Sequence, residues 1–101
     1  MSESVVLYAE FTATPDAGEH VDRLISDYAQ LVRAEPGNEV FEVYRREEAP
    51  DRFFVFERYR DRAAFEAHLG AESGRAFNDA LGPLIVESGS ALSFLRETAR
   101  V

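Results

Sequence analysis

Two segments of this chain, Ser4–Phe11 (SVVLYAEF) and Arg52–Arg60 (RFFVFERYR), have the composition of β-strands without the alternation of a sheet that has one wet face. In the first, Val5, Leu7, Ala9 and Phe11 point one way while Val6 and Tyr8 point the other. In the second, Phe54 and Phe56 oppose Phe53, Val55 and Tyr59. Successive side chains leave a strand on opposite faces, so a strand covered on one side reads apolar, polar, apolar. These segments are apolar on both sides. At ~25 cal/mol per Å2, leaving several large side chains wet would cost several kcal/mol. Any fold for this chain must therefore cover both faces of the sheet that these strands build.

The rest of the chain offers helices for one face only. Val21, Leu24, Ile25, Tyr28, Leu31 and Val32 recur at intervals of three and four, the stripe of an amphipathic helix. Pro15 suits the first turn of that helix, and EPGN (Glu35–Asn38) stops it. EVFEVYRR and RFFVFERYR read as two strands joined by the polar turn EEAPD. Asp61 is placed to cap the helix RAAFEAHL, Gly70 ends it, and Ser73 is placed to cap a further short helix through Ala76, Phe77, Ala80 and Leu81. A last strand runs from about Ser90 to Glu97. The order β-α-β-β-α-β, with right-handed crossovers, predicts an α+β, ferredoxin-like antiparallel sheet with both helical crossovers on one face. The connecting loops are short, so the open face calls for a second sheet, most simply from a two-fold homodimer that closes an α+β barrel. With 101 residues and no linker or internal repeat, residues 1–101 form a single domain that buries roughly two thirds of its unfolded surface.

Composition removes several functions. A net charge of −8 argues against nucleic acid and against an anionic membrane surface. There is no cysteine, and hence no disulfide, thiolate chemistry or zinc ribbon. Neither GxGxxG, a P-loop, HExxH nor a GxSxG elbow occurs, so no cofactor or metal is expected. The start MSESVV has no signal-peptide pattern, and no apolar run is long enough to span a bilayer; a cytoplasmic protein is expected.

The chain has two histidines, His20 and His68, on different helices. Ala64 and Phe65 precede His68 by four and three residues and share its helix face, which directs His68 toward the gap between helix and strands. Two readings follow. His68 is either a packed histidine satisfied by backbone groups or a pocket group whose charge changes near neutral pH.

EPGNEVFEVYR, FFVFERYRDRAAFEAHL and AFNDALGPLI together resemble the antibiotic biosynthesis monooxygenase family, which includes quinol monooxygenases. That family's pattern has Pro-Gly before the second strand and an aromatic residue followed by Glu within it, here Pro36-Gly37 and Phe41-Glu42. It continues with Glu-x-Trp-x-Asp, an Ala and a helix histidine, here Glu57, Tyr59, Asp61, Ala64 and His68. Two positions depart from it. Tyr59 stands in place of tryptophan, and Ser73 in place of a second histidine. The related haem-degrading branch uses an Asn on the first strand, which is absent here, so haem is not expected.

The resemblance implies oxygenation of a quinol or aromatic polyketide-like phenol by O2 without flavin, haem or metal. His68 would be the catalytic base. Tyr59 and Phe65 would contact the substrate, with Asn38 and Tyr44 as further binding candidates. Arg45 or Arg58 could stabilise an oxyanion, and Glu57 could orient a neighbour. Because fold alone does not fix function, two other classes stay open: a non-catalytic small-molecule-binding or regulatory dimer, and another enzyme of this barrel type such as an isomerase or cyclase.

Overall fold

Branched and aromatic side chains fit a pleated surface, and in the computed structural model, which describes residues 3–99, four such runs build one sheet. Strands β1 (Val5–Thr12), β2 (Asn38–Arg45), β3 (Arg52–Tyr59) and β4 (Ala91–Leu95) lie in the order β2-β3-β1-β4. Every neighbouring pair is antiparallel. Helix α1 (Gly18–Arg33) crosses from β1 to β2. Helices α2 (Arg62–Leu69) and α3 (Glu72–Leu81) and a 3-10 turn (Gly82–Leu84) carry the chain from β3 back to β4. This is the expected ferredoxin-like α+β arrangement, with the second crossover divided between two helices and the last strand shorter than Ser90–Glu97. Among the described residues no helix is long and apolar enough to cross a membrane.

Register decides which side chains meet the helices. Val5 lies opposite Tyr59, Leu7 opposite Glu57, Ala9 opposite Val55 and Phe11 opposite Phe53, and all eight are buried. Onto them α1 lays Val21, Ile25, Tyr28, Ala29 and Val32. The other face keeps Val6, Tyr8, Phe54 and Phe56 half-buried, with the Tyr8 and Phe54 rings stacked at 4.9 Å. Tyr44, opposite Phe54 on that same face, is 53% exposed.

Three local expectations fail for local reasons. Leu31 is 56% exposed; at 100° per residue it sits about 105° from the centre of the buried stripe, beyond the sheet's reach. Pro15 lies in the turn before α1, which begins three residues later, after Asp16 at φ 70°. Ser73 is the second residue of α3, behind an Ala71 N-cap that makes no side-chain capping bond.

Two devices set the approach of α2 to the sheet. Asp61 caps the helix, its Oδ1 accepting from the Ala64 backbone N–H at 2.8 Å. Gly37 has φ 89°, and a Cβ there would stand 2.6 Å from the Ala64 Cβ. The Pro36-Gly37 turn therefore lets α2 lie directly against the chain leaving α1. The buried core falls into two parts, a large one between α1, α3 and the sheet and a small one of Val5, Leu7, Tyr59, Ala64 and Phe65 under α2.

Candidate functional site

A cavity of about 320 Å3 lies between the two parts of the core, with Leu7 and Phe65 from the small part and Phe11, Ile25, Val55 and Leu81 from the large part in its wall. Its exposed rim carries Leu69, Gly82, Ser88, Gly89 and Leu92. Glu57 and His68 are the only charged or titrating side chains in its wall apart from the Tyr28 phenol. A cavity with apolar walls and a few convergent polar groups is the usual form of a small-molecule site.

Strand parity places Glu57 and Tyr59 on the covered face, two residues apart. Tyr59 is fully buried, and its hydroxyl donates to Glu57 Oε1 at 2.7 Å. From α2, His68 lies with its ring 4.9 Å from the Tyr59 ring, and its Nε2 is 3.9 Å from Glu57 Oε1. On its far side His68 Nδ1 is 2.9 Å from Glu35 Oε1 and 3.3 Å from Oε2. Glu35 follows the end of α1, its N–H bonded to the Val32 carbonyl at 2.9 Å. The imidazole is thus held between two carboxylates, one on the cavity wall and one behind it. It is not satisfied by backbone groups.

Burial sets the protonation of these groups. Desolvation pushes the Glu57 carboxyl above its usual 4.5, and the Glu35 charge adds to the rise; the Tyr59 hydroxyl and His68 pull the other way. Desolvation, then the Glu57 charge, raises the Tyr59 phenol so far that it remains a hydrogen-bond donor throughout the working range of a protein. The Tyr28 phenol is pushed up to about 12, mainly by burial. Because folded Glu57 holds its proton more tightly than unfolded Glu57, stability falls as pH rises from 4.5 through the folded value. Glu57→Gln keeps an acceptor for Tyr59 and cannot ionise. Its melting temperature is expected to exceed the parent's at about pH 8, with the difference shrinking as the pH drops toward 4.5. A difference that does not change with pH would contradict this account.

The residues singled out from sequence divide sharply. His68 and Phe65 line the cavity, while Tyr59 stands behind the wall and acts on it through Glu57. Asn38, at the start of β2, is not in the wall, and its Nδ2 donates to the Val40 carbonyl at 3.2 Å. Phe41, Val43 and Arg45 take the covered face of β2, so Tyr44 falls on the open one, its hydroxyl donating to Glu42. Arg45 is paired with Glu19 and Asp22 over the Phe53 ring, away from the cavity. Arg58 is on the open face, opposite Val6 and Val40. Ser73 does not line the cavity. Glu35 was read from sequence only as part of a helix stop; its partner is 33 residues away, and no spacing pattern announces such a pair. Among the described residues, no group of three His, Cys, Asp or Glu could hold a metal ion.

The sequence profile of antibiotic biosynthesis monooxygenases matches residues 4–80 of this chain. The chain belongs to that family. The family pattern found in the sequence now has a physical reading: Glu57 and His68 stand in the cavity wall with Tyr59 bonded to Glu57 behind it, Asp61 caps the helix that brings His68, and Ala64 packs against Gly37. Solved structures agree on the antibiotic biosynthesis monooxygenase fold. The Rv0793 protein of Mycobacterium tuberculosis superposes with a TM-score of 0.87 at 26% identity, over 97% of this chain and 98% of that one. The PA3566 protein of Pseudomonas aeruginosa gives 0.88 at 26% identity, over 98% of both chains. An antibiotic biosynthesis monooxygenase that is 18% identical gives 0.86 over 94% of this chain and 99% of its own, a likeness of fold alone. No curated protein matches the chain.

Proposed function

We propose that this protein is a cofactor-independent monooxygenase that oxidises a neutral dihydroquinone or anthrone-like phenol with O2, working as a two-fold dimer. The observation that carries this reading is the His68–Glu57 pair at the wall of a mainly apolar cavity. Their 3.9 Å separation is too long for a hydrogen bond, which leaves the Nε2 lone pair free to accept from a substrate hydroxyl in the cavity at about 2.8 Å. His68 Nε2 takes the hydroxyl proton. The ring, now anionic, gives one electron to triplet O2, which avoids the spin barrier to direct reaction with a closed-shell molecule. The carbon radical and superoxide combine to a peroxide. For an anthrone-like CH2, loss of water from the protonated peroxide leaves C=O, so one oxygen atom enters the product and the other departs as water. All four electrons come from the substrate. The walls supply proximity and a dry medium in which these charged species form.

Oxygen uptake by chelator-treated protein tests this, each phenol being run against its own spontaneous oxidation at the same pH. Uptake above background, unaffected by chelator, is the expected result. Ring substrates bearing a carboxylate are expected to react poorly, because the wall holds the acidic Glu57 and, among the described residues, no arginine or lysine. Saturable binding without turnover across the panel would favour the non-catalytic dimer instead.

The dimer reading rests on the open face. Tyr8, Phe54, Phe56 and Tyr44 form an aromatic patch there, and the neighbouring Arg58 Nε is buried without a hydrogen-bond partner. A second sheet stacked on this face would remove the patch from water and supply an acceptor to Arg58. Phe56, opposite both Tyr8 and Glu42, is near its centre. Phe56→Glu is expected to sediment as a folded single chain of 11.4 kDa where the parent sediments at twice that mass. A parent that is monomeric at micromolar concentration would overturn the dimer.

A further inference from the structure

We propose that Glu35 is the positioning residue of this site: from behind the cavity wall its carboxylate holds the His68 Nδ1–H and so leaves the His68 Nε2 lone pair facing the cavity. The inference rests on the reading of His68 as the base and names the residue that makes it one.

An imidazole has two nitrogens, and the hydrogen bond made by one fixes the protonation of the other. Here the two are unequally placed. Nδ1 sits 2.9 Å from Glu35, which is not in the cavity wall, while Nε2 is on the side of Glu57, which is. A carboxylate can only accept, so at Nδ1 the proton must be on the ring. Neutral His68 is then the Nδ1–H tautomer, and Nε2 is the free acceptor for a substrate hydroxyl.

The surroundings leave Glu35 to this task. The side chains of His68 and Glu35 are only 11% and 20% exposed, so water competes weakly for the bond. Arg33 is committed to the Phe41 carbonyl at 2.9 and 2.7 Å, and Arg60 pairs with Asp61. The groups facing the imidazole from every packed element are Glu35 and Tyr28 from the α1 side and Glu57 and Tyr59 from β3. Among these Glu35 alone is within hydrogen-bond length of a ring nitrogen. The pair is also built into the backbone. The Gly37 turn that admits α2, the helix carrying His68, follows Glu35 by two residues.

The proton count is simple. The substrate hydroxyl proton passes to Nε2, the Nδ1 proton stays where it is, and Glu35 faces an imidazolium in place of a neutral ring. Glu35 touches no reacting atom, so its removal should lower kcat and leave KM nearly unchanged, as loss of a group orienting a ligand typically costs about 10–100-fold.

The test is 15N NMR of the imidazoles at a pH high enough for both histidines to be neutral, with His20→Gln assigning the two rings. In the parent, His68 is expected to show a protonated Nδ1 and an unprotonated Nε2. Glu35→Ala should mix the tautomers and lower kcat for quinol oxidation by about 10–100-fold, and Glu35→Gln, whose amide oxygen still accepts from Nδ1–H, should keep the tautomer and recover most of the rate. A parent His68 protonated at Nε2 overturns the proposal whatever the activity, and so does a Glu35→Ala protein with unchanged tautomer and kcat. The expected tautomer in a protein that oxidises no quinol would leave Glu35 as the positioning residue and remove the monooxygenase reading.

Discussion

Replacing His68 by alanine is expected to reduce quinol oxidation by at least tenfold and toward the about 10²–10⁴-fold that a positioned acid–base group contributes, while the chain stays folded and keeps the parent's assembly state. Alanine removes the only nitrogen base that the described residues place in the cavity wall. It also leaves Glu35 and Glu57 as two carboxylates without the group between them. The fold survives because the ring lies at the cavity and not within either part of the buried core. The measurement is initial oxygen uptake at saturating substrate, corrected for background, beside circular dichroism and sedimentation of the same sample. Turnover equal to the parent's would remove His68 from the chemistry, and Glu57 would become the residue to replace next.

A larger loss of stability is expected from Gly37→Ala than from any alanine placed at an open glycine. Two costs combine at this position. An L-residue at φ 89° is strained, by about 1–3 kcal/mol. The new methyl would also stand 2.6 Å from the Ala64 Cβ, and accommodating an extra methyl in a packed region typically costs about 1–3 kcal/mol. Together they predict a loss of about 2–6 kcal/mol, and for a domain of this size a drop in melting temperature of at least about 8 °C. Gly89→Ala is the control, since nothing lies within 4 Å of its added Cβ and its φ is not positive. If the two variants melted together, the Pro36-Gly37 turn would not be the constraint on α2 described above.

Most of the architecture was legible because it is written in short-range periods. The run of branched and aromatic residues along Ser4–Phe11 and the spacing of three and four along Val21–Val32 named β1 and α1, and Asp61 before RAAFEAHL named the start of α2. The errors are local too. Leu31 continued the spacing of α1 while drifting off its buried stripe, and Ser73 has the chemistry of a cap but follows a helix start made by Ala71. The site was harder to read. His68 was found through its neighbours Ala64 and Phe65, yet the role of Glu57 depended on which face of β3 the helices cover. Strands apolar on both sides do not reveal that. Parity then sends Tyr44 to the open face once Phe41 and Val43 take the covered one. Glu35 was out of reach altogether, because its partner is set by the way α1 and α2 pass one another and not by any spacing along the chain.

The position of β1 has a consequence for how such a chain comes into being. It is made early and lies in the middle of the sheet, yet neither neighbour adjoins it in sequence: Val6 pairs with Arg58 on one side and Leu95 on the other. Closing such long loops carries an entropic debt before any ladder forms, which slows folding. A nascent chain emerging from the ribosome therefore holds an unpaired, doubly apolar strand until β3 follows, and keeps one edge open until β4 does. The hairpin of β2 and β3, joined by a short turn, is the one neighbouring pair of strands in the sheet that closes only a short loop.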